Sequence, residues 1–322
     1  MVKLTLIDKK ILQLIEYNPR ISFQEIAKAT RISKDSAKYR LLRLEEKKVI
    51  LQYTSFVDYK KLGHESYKLF LKIKATTEQK NKLRDYLCEQ KNVFAVFESF
   101  GAWNFAFATF AKTSEEFNSI ENDLLEKFGN IIIQRRFCSM IDATFYPSKI
   151  FAKERDEQEF HFWGKVKHKE IDDIDRIIIK TLHNNARESL TNIALKTKLS
   201  LDATKKRINK LRKNGVMSIH RTNINYDLLG FTHYKLLIFP KKYSQKKENE
   251  IKEVLKRTKG CINVVRTIGP WKIEAEFLFE NNKEVDAILE KLEQNYSQEI
   301  LDLEMSPVRN EELFACKELL LQ

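Results

Sequence analysis

The sequence predicts an α+β chain in which a three-helix module followed by a βαββαβ layer occurs twice. Three observations predict it: an internal repeat, helical periodicity at the head of each copy, and period-two alternation behind it. Aligned at a constant offset of 167, Ile7–Gly63 and Ile174–Gly230 are identical at 18 of 57 positions. Chance at average composition gives about three or four. The identities include Ile7-Asp8 with Ile174-Asp175, Ile26-Ala27 with Ile193-Ala194, Arg40 with Arg207, and Leu62-Gly63 with Leu229-Gly230. Farther on the offset becomes 168, so that Gly101-Ala102-Trp103 meets Gly269-Pro270-Trp271.

Composition narrows the function classes. The chain has 322 residues, 43% of them apolar, enough to build packed cores and to exclude a disordered polyelectrolyte. No run approaches 18 uninterrupted apolar residues and Met1–Asp8 lacks a signal-peptide pattern, so a cytoplasmic protein without membrane spans is expected. The four cysteines (Cys88, Cys138, Cys261, Cys316) lie far apart, as buried or incidental thiols do in a reducing compartment. With 58 Lys and Arg against 45 Asp and Glu, the net charge of +13 favours a polyanionic partner.

Each copy opens with helices. Ile7, Ile11, Leu14 and Ile15 fall on one helical face, and Ile174, Ile178 and Leu182 repeat it. After the break at Asn18-Pro19-Arg20, Ser22-Phe23-Gln24-Glu25 has capping-box spacing and starts a short helix carrying Ile26 and Ala27. Ser33 is the expected N-cap of the next helix, with Ala37, Leu41 and Leu44 inward; Ser200 opens the counterpart, with Thr204, Ile208 and Leu211. Two short helices joined by a tight turn make a helix-turn-helix. The turn positions Arg31 and Lys198 stand where Gly would most easily supply a positive φ, at a cost of about 1 kcal/mol.

The outward face of the second helix carries the functional signal. Ser33, Lys34, Ser36, Lys38, Tyr39, Arg40 and Arg43 form the first candidate DNA-binding set. Ser200, Thr204, Lys205, Lys206, Arg207 and Lys210 form the second. Such a helix suits the major groove, its N-terminal turns on base edges and its flanking cations on phosphates. A single basic helix is most often a solvated surface. Two, each behind a helix-turn-helix spacing, point to nucleic acid.

Behind each module the pattern changes period. Tyr67–Ala75 alternates as a half-buried strand; a helix through Leu83 and Leu87 follows, then a hairpin of Val93–Ser99 and Trp103–Phe110. Phe117–Phe128 is the next helix and Ile131–Ile141 the last strand. The second copy runs Tyr234–Pro240, Glu248–Thr258, Cys261–Ile268, Trp271–Phe279, Lys283–Tyr296 and Ile300–Pro307. This order is the ferredoxin-like βαββαβ arrangement. The expected domains are therefore 1–56 and 171–223 (winged helix-turn-helix), 57–147 and 224–309 (ferredoxin-like). A linker at 148–170 carries an aromatic island, Phe160–Gly164, expected to dock on a neighbour, and a tail at 310–322 has a short helix-like pattern of Leu313, Phe314, Leu319 and Leu320.

The chain resembles the Lrp/AsnC family of transcription regulators. The residues that carry the resemblance are Leu6-Ile7-Asp8, Glu25-Ile26-Ala27, Ser33, Arg40, Leu44, Val49-Ile50 and Leu62-Gly63. Their repeats are Ile174-Asp175, Ile193-Ala194, Ser200, Arg207, Leu211, Gly215-Val216 and Leu229-Gly230. The resemblance implies sequence-specific binding to double-stranded DNA, pairing through the sheet domains, and a small-molecule effector near the sheet-domain hairpin. The positions concerned are Gly101, Trp103 and Asn104, and Gly269, Trp271 and Lys272. The family's Gly-x-x-Asp hairpin reads Gly101-Ala102-Trp103-Asn104 and Gly269-Pro270-Trp271-Lys272 here, so no carboxylate is present to hold an amino-acid ammonium. An ordinary free amino acid therefore fits poorly as effector.

Duplication implies either an intrachain pseudo-dimer or a homo-oligomer, with half-sites about 34–36 Å apart on DNA. Ser36 against Ala203 and Tyr39 against Lys206 predict an asymmetric site. Two alternatives compete: an architectural DNA-binding protein of low specificity, and an enzyme related to haem-precursor decarboxylases. The enzyme reading is weakened because no histidine is shared between copies, His64 facing Phe231, His183 facing Glu16 and His220 facing Tyr53. No catalytic residue, metal site or cofactor is expected.

Overall fold

The computed structural model describes residues 2–151, 158–217, 219–242 and 244–313. The first copy runs α1 (Leu6–Ile15), α2 (Phe23–Thr30), α3 (Lys34–Glu46), β1 (Ile50–Phe56), β2 (Glu65–Ile73), α4 (Thr77–Glu89), β3 (Val93–Ser99), β4 (Phe105–Ala111), α5 (Ser114–Phe128) and β5 (Ile132–Phe145). After the short β6 (Phe160–Trp163), the second copy runs α6 (Asp173–Asn184), α7 (Leu190–Thr197), α8 (Leu201–Lys213) and β7 (Ile219–Ile224). It continues with β8 (Thr232–Pro240), α9 (Gln245–Arg257), β9 (Cys261–Ile268), β10 (Ile273–Phe279), α10 (Asn282–Tyr296) and β11 (Ile300–Leu313).

These elements sort by kind rather than by copy. One compact unit comprises Met1–Asp58, Tyr146–Phe160 and Lys169–Phe231, so it holds both helix-turn-helix modules. The other comprises Tyr59–Phe145, His161–His168 and Thr232–Gln322, and holds both sheet halves. Like part pairs with like part inside one chain.

In the helical unit the expected caps form. Ser22 Oγ accepts from the Glu25 amide at 3.2 Å while Glu25 accepts from the Ser22 amide at 2.8 Å. Thr5 and Asp8 close the same reciprocal box on α1. Ile11, Leu12, Ile15, Ile26, Leu41 and Leu44 bury the apolar faces of three helices too short to be stable alone. The turn between α2 and α3 has Arg31 at φ 58°, and its counterpart Lys198 at φ 54°, both left-handed as the spacing required. The strain is offset by the bonds it permits, among them Ile32 N–H to Ala27 O at 3.1 Å and Leu199 N–H to Ala194 O at 3.1 Å.

The two modules are joined by features the periodicity did not resolve. β1 and β7 pair antiparallel, from Ile50 opposite Ile224 to Phe56 opposite Ile219. Arg20 Nη1 donates to Ala186 O at 2.5 Å and Glu188 O at 3.0 Å, and its repeat Arg187 donates to Pro19 O. Each arginine thus satisfies carbonyls at the helix junction of the other module. The linker contributes as well: Phe151 enters the first module's core and Phe160 stacks on Tyr17 at 4.3 Å.

In the sheet unit the length of β5 and β11 decides the topology. Each is 14 residues long, twice the length of β3, β4 or β10. The first half of β5 pairs with its own β2, and the second half crosses to β9 of the other copy, with Ser139 opposite Ile268. β11 does the same, first with β8 and then with β3, where Val308 lies opposite Ser99. The pairings run β2-β4-β3-β11-β8-β10-β9-β5 and return to β2, a closed ring of eight strands with β6 added on β5. Closure leaves no long open edge over the exchanged segments.

Two expectations need correction. The last strand of the first copy does not stop at Ile141 but continues to Phe145. Asn310–Leu313, expected as tail, extend β11 because pairing with β3 supplies their backbone partners; Phe314, Leu319 and Leu320 lie outside the described residues. The aromatic island of the linker forms strand β6, added to β5.

Candidate nucleic-acid interface

The basic face of α3 and α8 is real, and the structure divides the candidate residues by what their side chains already hold. Ser33 and Ser200 are N-caps, their hydroxyls accepting from the Ser36 amide at 3.1 Å and the Ala203 amide at 3.2 Å. Lys34, Lys38 and Arg43 on α3 are exposed, as are Lys205, Lys206 and Lys210 on α8. Tyr39 is 65% exposed, unusual for a large aromatic ring without a core to join. Ser36 is half-buried beside it.

Thr204 is a correction. It is fully buried, and its hydroxyl donates back to Ser200 O at 2.9 Å, occupying the core position of Ala37 in the first copy. Arg40 and Arg207 are also differently employed. Arg40 Nη1 lies 2.9 Å from Asp8, and Arg207 Nη1 lies 2.6 Å from Asp172 and 3.0 Å from Asp175. Burial alone would raise the Asp8 pKa, but hydrogen bonds from Thr5 and Arg40 more than offset it and hold the carboxyl below its usual range. These pairs lock the recognition helix to the first helix of its module. Arg20 and Arg187 were not singled out by sequence, although their repeat at the offset of 167 was visible.

The two helices differ in charge. Over its 13 residues α3 carries four basic and three acidic side chains, a net +1; α8 carries six basic and one acidic, a net +5. Glu45 is further engaged by the Tyr53 hydroxyl at 2.5 Å. The histidines near these helices supply no charge at neutral pH. Burial lowers the pKa of His183, and burial together with the Arg212 and Arg20 cations pushes His220 down to about 4.

The hairpin positions proposed for an effector divide as well. Gly101 has φ 118°, and a Cβ there would stand 2.8 Å from Ser306 Oγ. At Gly269 a Cβ would meet Cys138 Cβ at 2.9 Å, so both glycines answer to packing. The Asn104 carboxamide clamps the backbone of Ile73, accepting from its amide and donating to its carbonyl at 2.8 Å each. Trp271 is fully buried, edge-on to Phe70 at 4.8 Å. Lys272 holds the hairpin through its backbone, donating to Ile238 O at 3.0 Å.

Trp103 borders an open cleft. The cleft measures about 480 Å³ and is lined by Trp103, Leu69, Glu121, Gln134, Arg135, Arg136 and Phe137. Trp103 Nε1 donates to Glu304 at 2.6 Å, and the Arg136 guanidinium lies 5.1 Å from the centre of its ring. Arg135 is paired with Glu121 at 2.6 Å. The run Gln134-Arg135-Arg136 was the available sequence signal, masked because those residues interrupt the expected apolar alternation of a last strand.

Among the described residues no helix is long and apolar enough to cross a membrane. Residues 4–50 match the model of a winged helix-turn-helix DNA-binding family, and residues 171–212 match the AsnC-type helix-turn-helix domain. The chain is similar to the HTH-type transcriptional regulator FL11 of Pyrococcus horikoshii, 27% identical over 130 residues, 40% of this chain and 83% of that protein. It is also similar to the uncharacterized HTH-type transcriptional regulator YugG of Bacillus subtilis, 32% identical over 79 residues, 24% of this chain and 48% of that one. Among solved structures, the siroheme decarboxylase NirDL superposes with a TM-score of 0.64 at 12% identity, covering 98% of this chain and 99% of that one. At that identity the likeness concerns the fold.

Proposed function

We propose that this chain is a DNA-binding transcription regulator of the Lrp/AsnC type, built as a tandem duplicate, and that it reads duplex DNA as one asymmetric unit. In this reading α3 and α8 enter successive major grooves in the cytoplasm. Lys34, Lys38 and Arg43, and Lys205, Lys206 and Lys210, neutralise phosphates. Ser33, Ser36, Tyr39 and Ser200 face base edges or the sugar-phosphate chain at the helix N-terminal turns, and Arg40 and Arg207 orient the helices through Asp8 and Asp175. The single observation that carries the proposal is the pair of exposed, unlike basic helices, each capped and braced in the same way behind a left-handed turn.

The cleft beside Trp103 is the proposed effector site, with Arg135 and Arg136 favouring an anionic ligand over a free ammonium. A second reading, decarboxylation of a haem precursor, draws on the likeness to NirDL. Against it, the residues that line the cleft include no histidine. Optical titration with an iron porphyrin carboxylate separates the two, because only the enzyme reading predicts a saturable spectral change followed by loss of carbon dioxide.

Selection of bound fragments from genomic DNA across a salt series tests the main proposal. Enrichment of a few sites that persists at physiological salt is expected. Uniform retention that collapses with salt would instead establish the architectural reading, and no retention at low salt would overturn DNA binding altogether.

A further inference from the structure

The interior of the strand ring contains a charged core whose members come unequally from the two copies. Lys68 on β2 and Lys235 on β8 are equivalent positions, 4% and 5% exposed. Both ammonium groups converge on Glu274 Oε1, Lys235 at 2.8 Å, and Lys235 also reaches Glu276 Oε1 at 2.5 Å. Asn263 Nδ2 donates to Glu276 at 2.7 Å, and His233, itself beside Glu311, lies 3.3 Å from Glu276. The Phe97 ring covers both lysines, 4.1 Å from Lys235 and 5.4 Å from Lys68.

Strand register identifies what stands in the first copy where the second has its acids. Lys235 lies opposite Glu276 across β8 and β10, and Lys68 lies opposite Ala108 across β2 and β4. Leu237 opposite Glu274 matches Phe70 opposite Ala106, and Glu276 opposite Asn263 matches Ala108 opposite Ala95. The first copy therefore offers one buried lysine among Ala95, Ala106 and Ala108. The second offers one buried lysine with two glutamates and an asparagine. Joined, the halves bury two cations and two anions.

We propose that this core makes a first-copy sheet half pair only with a second-copy sheet half. Two first halves would bury two ammonium groups with no acid, and two second halves would bury four carboxylates around two ammonium groups. A buried charge without its partner is far costlier than the matched set. The matched set keeps its charges. Burial alone would lower the Lys235 pKa, but Glu274, Glu276 and Glu311 more than offset it and the pKa is raised; Glu276 is held well below the ordinary carboxylate range by Lys235 and His233 against its own burial. Once Ala106 and Ala108, or their glutamate counterparts, had diverged in a duplicated chain, the like-with-like dimer was closed to it. The partner surface of each half is thus its unlike half, and the inference stands whether or not the protein binds DNA.

The test uses the full chain with a protease site placed in residues 152–157. After cleavage the two pieces are unfolded together in denaturant, refolded, and weighed by native mass spectrometry. The mixed pair is expected to exceed either like pair on the order of a hundredfold. A quadruple variant, Lys68→Met, Lys235→Met, Glu274→Ala and Glu276→Ala, is expected to move the population toward the statistical one-to-two-to-one ratio. A transposed variant, Ala106→Glu and Ala108→Glu with Glu274→Ala and Glu276→Ala, moves both acids to the first copy, keeps every charge buried, and is expected to restore mixed pairing. Like pairs in the wild type would overturn the proposal. So would mixed pairing that persists in the quadruple variant, since choice would then lie elsewhere, or like pairing in the transposed variant should the quadruple one fail to fold.

Discussion

Arg20 and Arg187 hold equivalent positions in the two helix-turn-helix modules and make the same bond, each to the other module. Lys68 and Lys235 hold equivalent positions in the two sheet halves, yet both lean on glutamates that one half alone supplies. In the first pairing the copies remain interchangeable. In the second they have become complementary. The difference lies in environment: the arginines meet backbone carbonyls, which every sequence provides, whereas a buried ammonium needs an acid, and one acid can serve two lysines near a pseudo-twofold axis. A gene duplication frees such an axis, because the two sides of the interface then mutate separately.

The symmetric side of this comparison breaks most visibly if both arginines are removed. Arg20→Ala with Arg187→Ala leaves three carbonyls without their charged donor and should cost about 3–5 kcal/mol, read as a lowered denaturation midpoint. Arg20→Ala, which frees two of the three carbonyls, should cost more than Arg187→Ala, which frees one. Equal single effects would show that the bond to Glu188 adds nothing to the one both arginines make.

A second pair of equivalents differs in kind: Glu16 in the first module stands where the second has His183. Burial raises the Glu16 pKa to about 7, although the Ser148 amide and Arg221 favour its charge. Its folded pKa exceeds the unfolded value, so its contribution is full below pH 4.5 and is lost as pH rises through about 7. Glu16→Gln should therefore gain up to about 3 kcal/mol at pH 8.5 and little at pH 4, seen in thermal melts at the two pH values. Equal effects at both would mean that the carboxyl is not the titrating group.

The recognition helices sharpen the comparison further. Lys205→Ala, Lys206→Ala and Lys210→Ala together should weaken DNA binding about a hundredfold and flatten the salt dependence by about three phosphate contacts. Lys34→Ala, Lys38→Ala and Arg43→Ala should do less, because α3 is nearly neutral overall. The smallest effect is expected of Arg40→Met, about 0.2–1 kcal/mol in stability with an unchanged salt slope, since Arg40 serves Asp8. A slope that falls by one for Arg40→Met would return that side chain to the phosphates.

Much of this was legible in the sequence because periodicity and caps are local. The repeat, the Ser22–Glu25 box, the left-handed turn at Arg31 and the strands Val93–Ser99 and Cys261–Ile268 follow from neighbours in the chain. What escaped depends on pairing between distant segments. β1 and β7 stabilise each other across 169 positions at Tyr53 and Thr222, and the ends of β5 and β11 become strands by lying on the opposite copy. The same reason explains the misread site residues. Thr204 looks like a groove-facing hydroxyl until its packing is known, and Arg40 looks like a phosphate ligand until Asp8 is seen beneath it.

If α3 and α8 read one site together as proposed, footprinting on a selected operator shows it directly. Protection should cover two major-groove segments about one helical turn apart with unlike sequences. Exchanging Tyr39→Lys should alter protection and base preference in one segment and leave the other intact. Equal changes in both segments, or a site of strict two-fold symmetry, would contradict the account, because either would mean that the same helix reads both halves.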